Sequence, residues 1–166
     1  MVRPNLVRPV CPEDAAEVSG IYNYYIKNTV VTFEEEPLDP SEMKRRIGAV
    51  TAKYPWFVCE ENGGVLGYAY LNAYRERSAY RFAAELSVYI RQDRQGEGIG
   101  TELLARLLEA ARETEIHAIV SAVTLPNERS VALQEKFGFT GIARFREIGF
   151  KHGRRLDVGY WELVIN

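Results

Sequence analysis

The chain is poor in the side chains that hold soft metals. Its 166 residues include two cysteines, two histidines and two methionines. Cys11 and Cys59 stand far apart and outside any metal-binding spacing, so they read as buried thiols of a reducing compartment. His117 and His152 are too few for a His-rich metal site and each reads as structural; no metal is expected. No apolar run approaches the roughly 18 residues that a membrane span needs, and no charged-then-apolar leader is present. The expectation is a cytoplasmic protein with no membrane partner. A basic tract interleaved with aromatics is also missing and the net charge is −2, which argues against nucleic acid as a partner. Repeats, low-complexity stretches and linkers are absent. With 46% apolar and 27% charged residues, the chain reads as one globular domain over residues 1–166, long enough to bury a core.

Hydrophobic spacing and punctuation predict the elements. Leu6 to Val10 reads as a first strand. Pro12-Glu13-Asp14 opens a helix whose apolar residues Ala15, Val18, Ile21, Tyr22, Tyr25 and Ile26 share one face. Residues 29–38 form an irregular arm, and a second helix begins near Asp39-Pro40 and ends before Tyr54-Pro55. Asn62-Gly63-Gly64 is a hairpin signal between strands at Trp56 to Glu60 and Val65 to Asn72. A long strand from Tyr80 to Arg91 leads to a helix from Ile99 to Thr114. Ala118 to Thr124 is a buried strand, Glu128 to Phe137 a helix closed by Gly138, and two last strands lie near 142–150 and 155–165. The order β-α-α-β-β-β-α-β-α-β-β predicts an α/β fold, a mixed sheet of six or seven strands with helices on both faces.

Residues 85–101, Glu-Leu-Ser-Val-Tyr-Ile-Arg-Gln-Asp-Arg-Gln-Gly-Glu-Gly-Ile-Gly-Thr, carry the main functional signal. A strand runs through a basic, glycine-rich turn into a helix N-terminus. Such a turn offers bare N–H groups and about half a positive charge to an anion. Gly96, Gly98 and Gly100 let the backbone approach a phosphate and take positive φ. The expected ligand is a diphosphate on a cofactor. A Walker loop is excluded, because Thr101 and Glu102 follow the last glycine, and the spacing G-x-G-x-G is not the dinucleotide G-x-G-x-x-G. Arg91 and Arg94 either add charge towards the phosphates or form a solvated basic turn.

The remaining match, Gln95-x-x-Gly98-x-Gly100, resembles the loop with which GNAT acyltransferases hold the pyrophosphate of acetyl-CoA. Leu125-Pro126-Asn127 with Ser130, Leu133, Lys136, Gly138 and Phe139 resembles a second block of those enzymes. Closer still is the phosphinothricin and methionine sulfoximine N-acetyltransferase subfamily. Its hallmarks appear as Asn28-Thr-Val-Val-Thr-Phe33, Tyr54-Pro-Trp56, Arg75-Glu-Arg77-Ser-Ala-Tyr80, Ala84-Glu-Leu-Ser-Val-Tyr-Ile90, Gly149-Phe-Lys-His-Gly153 and Leu156-Asp-Val-Gly-Tyr-Trp161. The resemblance runs in order from about residue 4 to 165.

It implies a sheet whose central strands splay to admit the pantetheine arm of acetyl-CoA. The backbone of Val88, Tyr89 and Ile90 would pair with that arm, and Gln95, Gly96, Glu97, Gly98, Ile99, Gly100 and Thr101 would hold the pyrophosphate. Asn127 and Ser130 would reach the pantetheine. Attack on the thioester needs a neutral amine, hence a base. Strand alternation puts Glu85, Ser87 and Tyr89 on one face and Leu86, Val88 and Ile90 on the other. Glu85 read alone is an ordinary strand carboxylate; the resemblance makes it the general base. Arg75 and Arg77, two apart at what looks like a strand end, suit a carboxylate or phosphinate; a solvated loop partly cancelled by Glu76 is the alternative. Phe33 and Tyr80 match residues lining the subfamily's acceptor pocket. Gln134 departs from the pattern, standing where a tyrosine or histidine is usual, and glutamine cannot give up a proton at neutral pH.

The resulting expectation is direct acetyl transfer to the α-amine of a small amino acid such as phosphinothricin, methionine sulfoximine or methionine sulfone. The subfamily also implies a homodimer with residues near 145–156 at the interface. Two alternatives stand beside it. One is a GNAT enzyme acting on a polyamine, an aminoglycoside or a protein N-terminus, which the acidic run Glu34–Glu36 would favour. The other is a non-catalytic acyl-CoA sensor.

Overall fold

A computed structural model describes residues 4–166. Seven strands form one sheet in the order β1-β2-β3-β4-β5-β7-β6. The strands are β1 (Leu6–Pro9), β2 (Trp56–Glu61), β3 (Gly64–Ala73), β4 (Ala83–Ile90), β5 (Ala118–Leu125), β6 (Thr140–Lys151) and β7 (Arg154–Val164). The helices are α1 (Ala15–Asn28), α2 (Pro40–Thr51), α3 (Ile99–Arg112) and α4 (Glu128–Lys136). All pairings are antiparallel except β4 with β5, which is parallel. The predicted mixed α/β architecture is what the chain adopts.

Local chemistry accounts for the boundaries. Asp39 caps α2, its Oδ1 accepting from the Glu42 amide at 2.8 Å with Pro40 in the first turn. Asn62 and Gly63 both take positive φ, as the tight β2–β3 hairpin requires. His152 and Gly153 do the same between β6 and β7, so His152 is a turn residue. One expectation fails. The strand predicted from Tyr80 begins only at Ala83, because Ser78–Tyr80 form a 3-10 turn closed by the Tyr80 amide on the Arg77 carbonyl at 2.9 Å.

Two cores cover the two faces of the sheet. On one, Leu103, Leu104, Leu107 and Leu108 of α3 pack on Leu71, Ala84, Leu86 and Ile119. On the other, α1 and α2 bring Val18, Ile21, Ile26, Met43 and Ile47 against Trp56, Val58 and Tyr68. The alternation in β4 follows the prediction: Leu86, Val88 and Ile90 belong to the α3 side and Tyr89 to the α1 side.

The sheet is incomplete at its centre. β4 pairs with β5 only through Ala83, Ala84 and Glu85, opposite Ala118, Ile119 and Val120. Beyond Glu85 the strands part, while β3 and β7 remain paired to their outer edges up to Ile90 and Leu125. This is the expected splay.

Leu107 is fully buried in the α3 core. Leu107→Ala should cost about 2–5 kcal/mol through lost transfer energy and a residual cavity. Urea unfolding monitored by circular dichroism checks this, with a lower midpoint at unchanged slope expected.

Candidate active site

The opening between β4 and β5 leads into two adjoining cavities. The larger, about 830 Å³, runs between the Gln92–Thr101 loop and the start of α4. The smaller, about 410 Å³, lies under the 29–38 arm and is walled by Glu85, Ser87, Tyr89, Ser121 and Tyr160. Val31, Val88, Thr124, Asn127, Ser130 and Leu133 border both, so they mark the junction.

The loop is built for close approach. Gly96 and Gly98 take φ of +81° and +82°, and a Cβ at either would meet nothing within 4 Å, which leaves the backbone bare towards the cleft. Gly98 is also the N-cap of α3. Gly100 corrects the sequence reading: it does not take positive φ. It is helical, and its missing side chain makes room for Leu133 of α4, whose Cδ2 would lie 3.1 Å from a Cβ there. Gln95 bridges the cleft, with Nε2 donating to the Tyr25 hydroxyl at 2.7 Å and Oε1 accepting from Arg129 at 2.7 Å. The Tyr25 hydroxyl donates in turn to the Ile90 carbonyl. Glu97 turns away to Arg94 (2.8 Å) and does not line the cleft, whereas Gly96, Gly98, Ile99, Gly100 and Thr101 do. Arg91 is spent on Asp93, and Arg94 on Glu61 and Glu97.

The edge of β4 is divided by alternation. Arg91 donates its amide to the Leu66 carbonyl of β3 at 2.8 Å. Every second residue therefore faces β3, and the backbone groups of Val88 and Ile90 face the opening instead. Tyr89, expected alongside them, directs its backbone to β3, and its ring packs among Tyr22, Tyr25 and Tyr68 beside the smaller cavity that the residue helps to line.

Glu85 is the last β4 residue still paired to β5. Its side chain borders the smaller cavity, half-buried, and among the described residues no hydrogen bond holds its carboxylate. Burial pushes its pKa above the usual carboxylate value, and the Arg75 charge opposes that rise. Arg75 and Arg77 do not extend from a strand end as predicted. β3 stops at Ala73, and both lie exposed on the loop that follows. Arg75 rests 5.1 Å over the Tyr74 ring, whose edge meets Tyr80 at 5.4 Å. Neither arginine, nor Tyr80, borders either cavity; only Phe33 of the four expected acceptor residues does.

The arm that carries Phe33 is tied down by contacts invisible in the sequence. Lys151 of β6 is 1% exposed and donates from Nζ to the Thr32 carbonyl at 2.7 Å. Phe33 lies on Gly149, where a Cβ would come within 2.3 Å of the ring. Glu34 accepts from Tyr22 and, through both oxygens, from Arg46 at 2.7 and 2.8 Å. Arg46 and the Tyr22 hydroxyl hold the Glu34 carboxyl below its usual range. Gln134 is buried with its Nε2 donating to Ser130 Oγ at 3.1 Å and its Oε1 unpartnered.

The family description "Acetyltransferase (GNAT) domain" matches residues 7–159. The chain is a GNAT acetyltransferase. It is 36% identical over 160 residues to the phosphinothricin N-acetyltransferase of Streptomyces viridochromogenes, covering 96% of this chain and 87% of that one. It is 33% identical to the L-methionine sulfoximine/L-methionine sulfone acetyltransferase of Salmonella typhimurium, over 92% of this chain and 90% of the relative. A GNAT phosphinothricin acetyltransferase from Sinorhizobium meliloti, solved in complex with acetyl-CoA, superposes with a TM-score of 0.94 at 32% identity, covering 99% of this chain and 90% of that one.

In this GNAT enzyme the arm depends on the buried lysine. Lys151→Ala should free residues 29–38, so that a glutamate-specific protease cuts at Glu34–Glu36 faster than in the parent while the sheet stays folded. Timed digestion with mass spectrometry reads the outcome; equal cleavage rates would show that the lysine does not anchor the arm.

Proposed function

We propose that the chain, working as one domain, transfers acetyl from acetyl-CoA to the α-amine of a small amino acid of the phosphinothricin, methionine sulfoximine or methionine sulfone type. The observation that carries this reading is the position of Glu85. A carboxylate with a raised pKa stands where β4 and β5 part, in a small cavity that joins a long cleft ending on a glycine loop. The cleft fits acetyl-CoA: bare N–H groups at the α3 N-terminus suit a diphosphate, and the open edge at Val88 and the Ile90 amide, with the Ile90 carbonyl taken by Tyr25, suits an amide-bearing arm. When bound, acetyl-CoA supplies an activated acetyl group.

The chain's own residues do the rest. Gly96 and Gly98 to Thr101 hold the diphosphate, with Gln95 and Arg129 bridging the far wall. Backbone donors on the β4 edge polarise the carbonyl. Glu85 takes a proton from the incoming ammonium, directly or through water, and the amine then attacks without a covalent enzyme intermediate. Phe33, Tyr89 and Tyr160 shape the acceptor cavity, and the charge of Arg75 attracts an acidic substrate towards its rim. The engagement of Glu34 with Arg46 and Tyr22 weighs against a cationic acceptor, because that acid is already neutralised.

A homodimer accords with the surface. β6 exposes Ile142, Phe145, Ile148 and Phe150, each 47% or more accessible, and Ile148 also borders the acceptor cavity. A second copy on this face would bury that patch and close the cavity.

Three outcomes follow from this reading. With saturating acetyl-CoA, kcat/KM for the amino-acid acceptor should fall as pH drops through a value above the ordinary carboxylate pKa of 4.5, since the base must be ionised. Glu85→Gln should remove that limb and lower kcat/KM by about 10²–10⁴. A pH profile indifferent to Glu85→Gln would favour an acyl-CoA sensor. Phe150→Glu should shift the protein from dimer to monomer in sedimentation and raise the KM for the acceptor.

A further inference from the structure

The junction of the two cavities is where a thioester must sit if the cleft holds acetyl-CoA and the smaller cavity holds the amine. Three polar side chains border both: Thr124, Asn127 and Ser130. Asn127 is committed as the cap of α4, its Oδ1 accepting from the Ser130 amide at 3.2 Å. Thr124 has no partner that fixes the direction of its hydroxyl among the described residues. Ser130 does. Gln134, one turn further along α4, is 4% exposed and donates from Nε2 to Ser130 Oγ at 3.1 Å. A hydroxyl that accepts from a buried amide keeps its own proton for another partner. Among the described residues the Ser130 hydroxyl donates to nothing, so its O–H is left to point into the junction. Gln134 is an awkward tenant of its site, because its Oε1 is buried without a donor. An apolar side chain would leave no such orphan, so the one bond Gln134 does make is the useful one.

We propose that Ser130 donates a hydrogen bond to the departing sulfur, and that Gln134 is the positioning residue that aims it. The inference rests on the acetyl-CoA reading above. In the transfer, the amine nitrogen bonds to the acetyl carbon, the carbon–sulfur bond breaks, and its electron pair stays on sulfur. The protons lost by the amine go to Glu85 and to water. Ser130 keeps its proton, because an alkoxide is too basic to form at neutral pH. Its O–H···S⁻ bond lowers the energy of the thiolate without a proton transfer, and the positive end of α4 acts in the same direction. An acid at position 134 is then not required.

The test uses CoA alone, with no acceptor. The ultraviolet absorbance of the bound CoA thiolate is titrated against pH as a difference from the acid form. In the parent protein the bound thiol should titrate below the value measured for free CoA in the same buffer. Ser130→Ala and Gln134→Leu should each raise that value by about one unit, a tenfold change in thiolate population at fixed pH. Ser130→Thr, which keeps the hydroxyl, should restore it. Gln134→Met serves if the leucine variant does not fold. The same thiol pKa in the parent, Ser130→Ala and Gln134→Leu, with CoA bound in each, overturns the proposal. A shift with Ser130→Ala but not with either Gln134 variant overturns the positioning role. Failure of the parent to bind CoA overturns the acetyl-CoA reading itself.

Discussion

Half a strand without a partner is the constraint on which this molecule is organised. Backbone N–H and C=O groups inside a protein need hydrogen-bond partners, and an interior strand edge left open is costly. β4 nevertheless abandons β5 after Glu85. The fold tolerates this because each strand is secured on its other side, β4 by β3 and β5 by β7. One open group is met from within the chain, since the Tyr25 hydroxyl donates to the Ile90 carbonyl. The remainder is an edge waiting for an extended, amide-bearing molecule, the geometry of strand addition applied to a cofactor.

The surrounding parts answer to that opening. The glycine loop stands at its end because β4 runs directly into it. α3 then presents its N-terminus behind two positive-φ glycines, Gly96 and Gly98, so the attraction for an anion comes from fixed backbone dipoles. The arginines of the loop play a different part. By pairing with Asp93, Glu61 and Glu97 they hold the turn in shape. Glu85 sits at the hinge of the splay, paired enough to be held and buried enough to be a better base than an exposed carboxylate.

Much of this was legible in the sequence. The element order, both hairpins, the glycine loop and the alternation along β4 depend on local rules of spacing and turn chemistry, and all appear in the structure. The role of Gly100 was misread because sequence shows a glycine but not its neighbour Leu133. Tyr80 was misplaced in a strand because aromatic residues favour strands, while the turn at Ser78 is held by backbone bonds that carry no side-chain signal. The placement of Arg75 and Arg77 failed for the same reason. The bridge from Tyr25 through Gln95 to Arg129, and the buried Lys151, were out of reach altogether. Each joins segments separated by 34 to 119 positions, and nothing in one segment announces the other.

The bond from Lys151 to Thr32 has a consequence for how the protein is made. One wall of the acceptor cavity comes from the beginning of the chain and another from its last hairpin. During synthesis, α1, α2 and most of the sheet can form while the cavity still lacks a side. The cleft for the larger ligand is encoded by residue 136, but the pocket for the smaller one is not enclosed until the final strands emerge. A nascent chain thus completes the lining of the larger cavity before that of the smaller one.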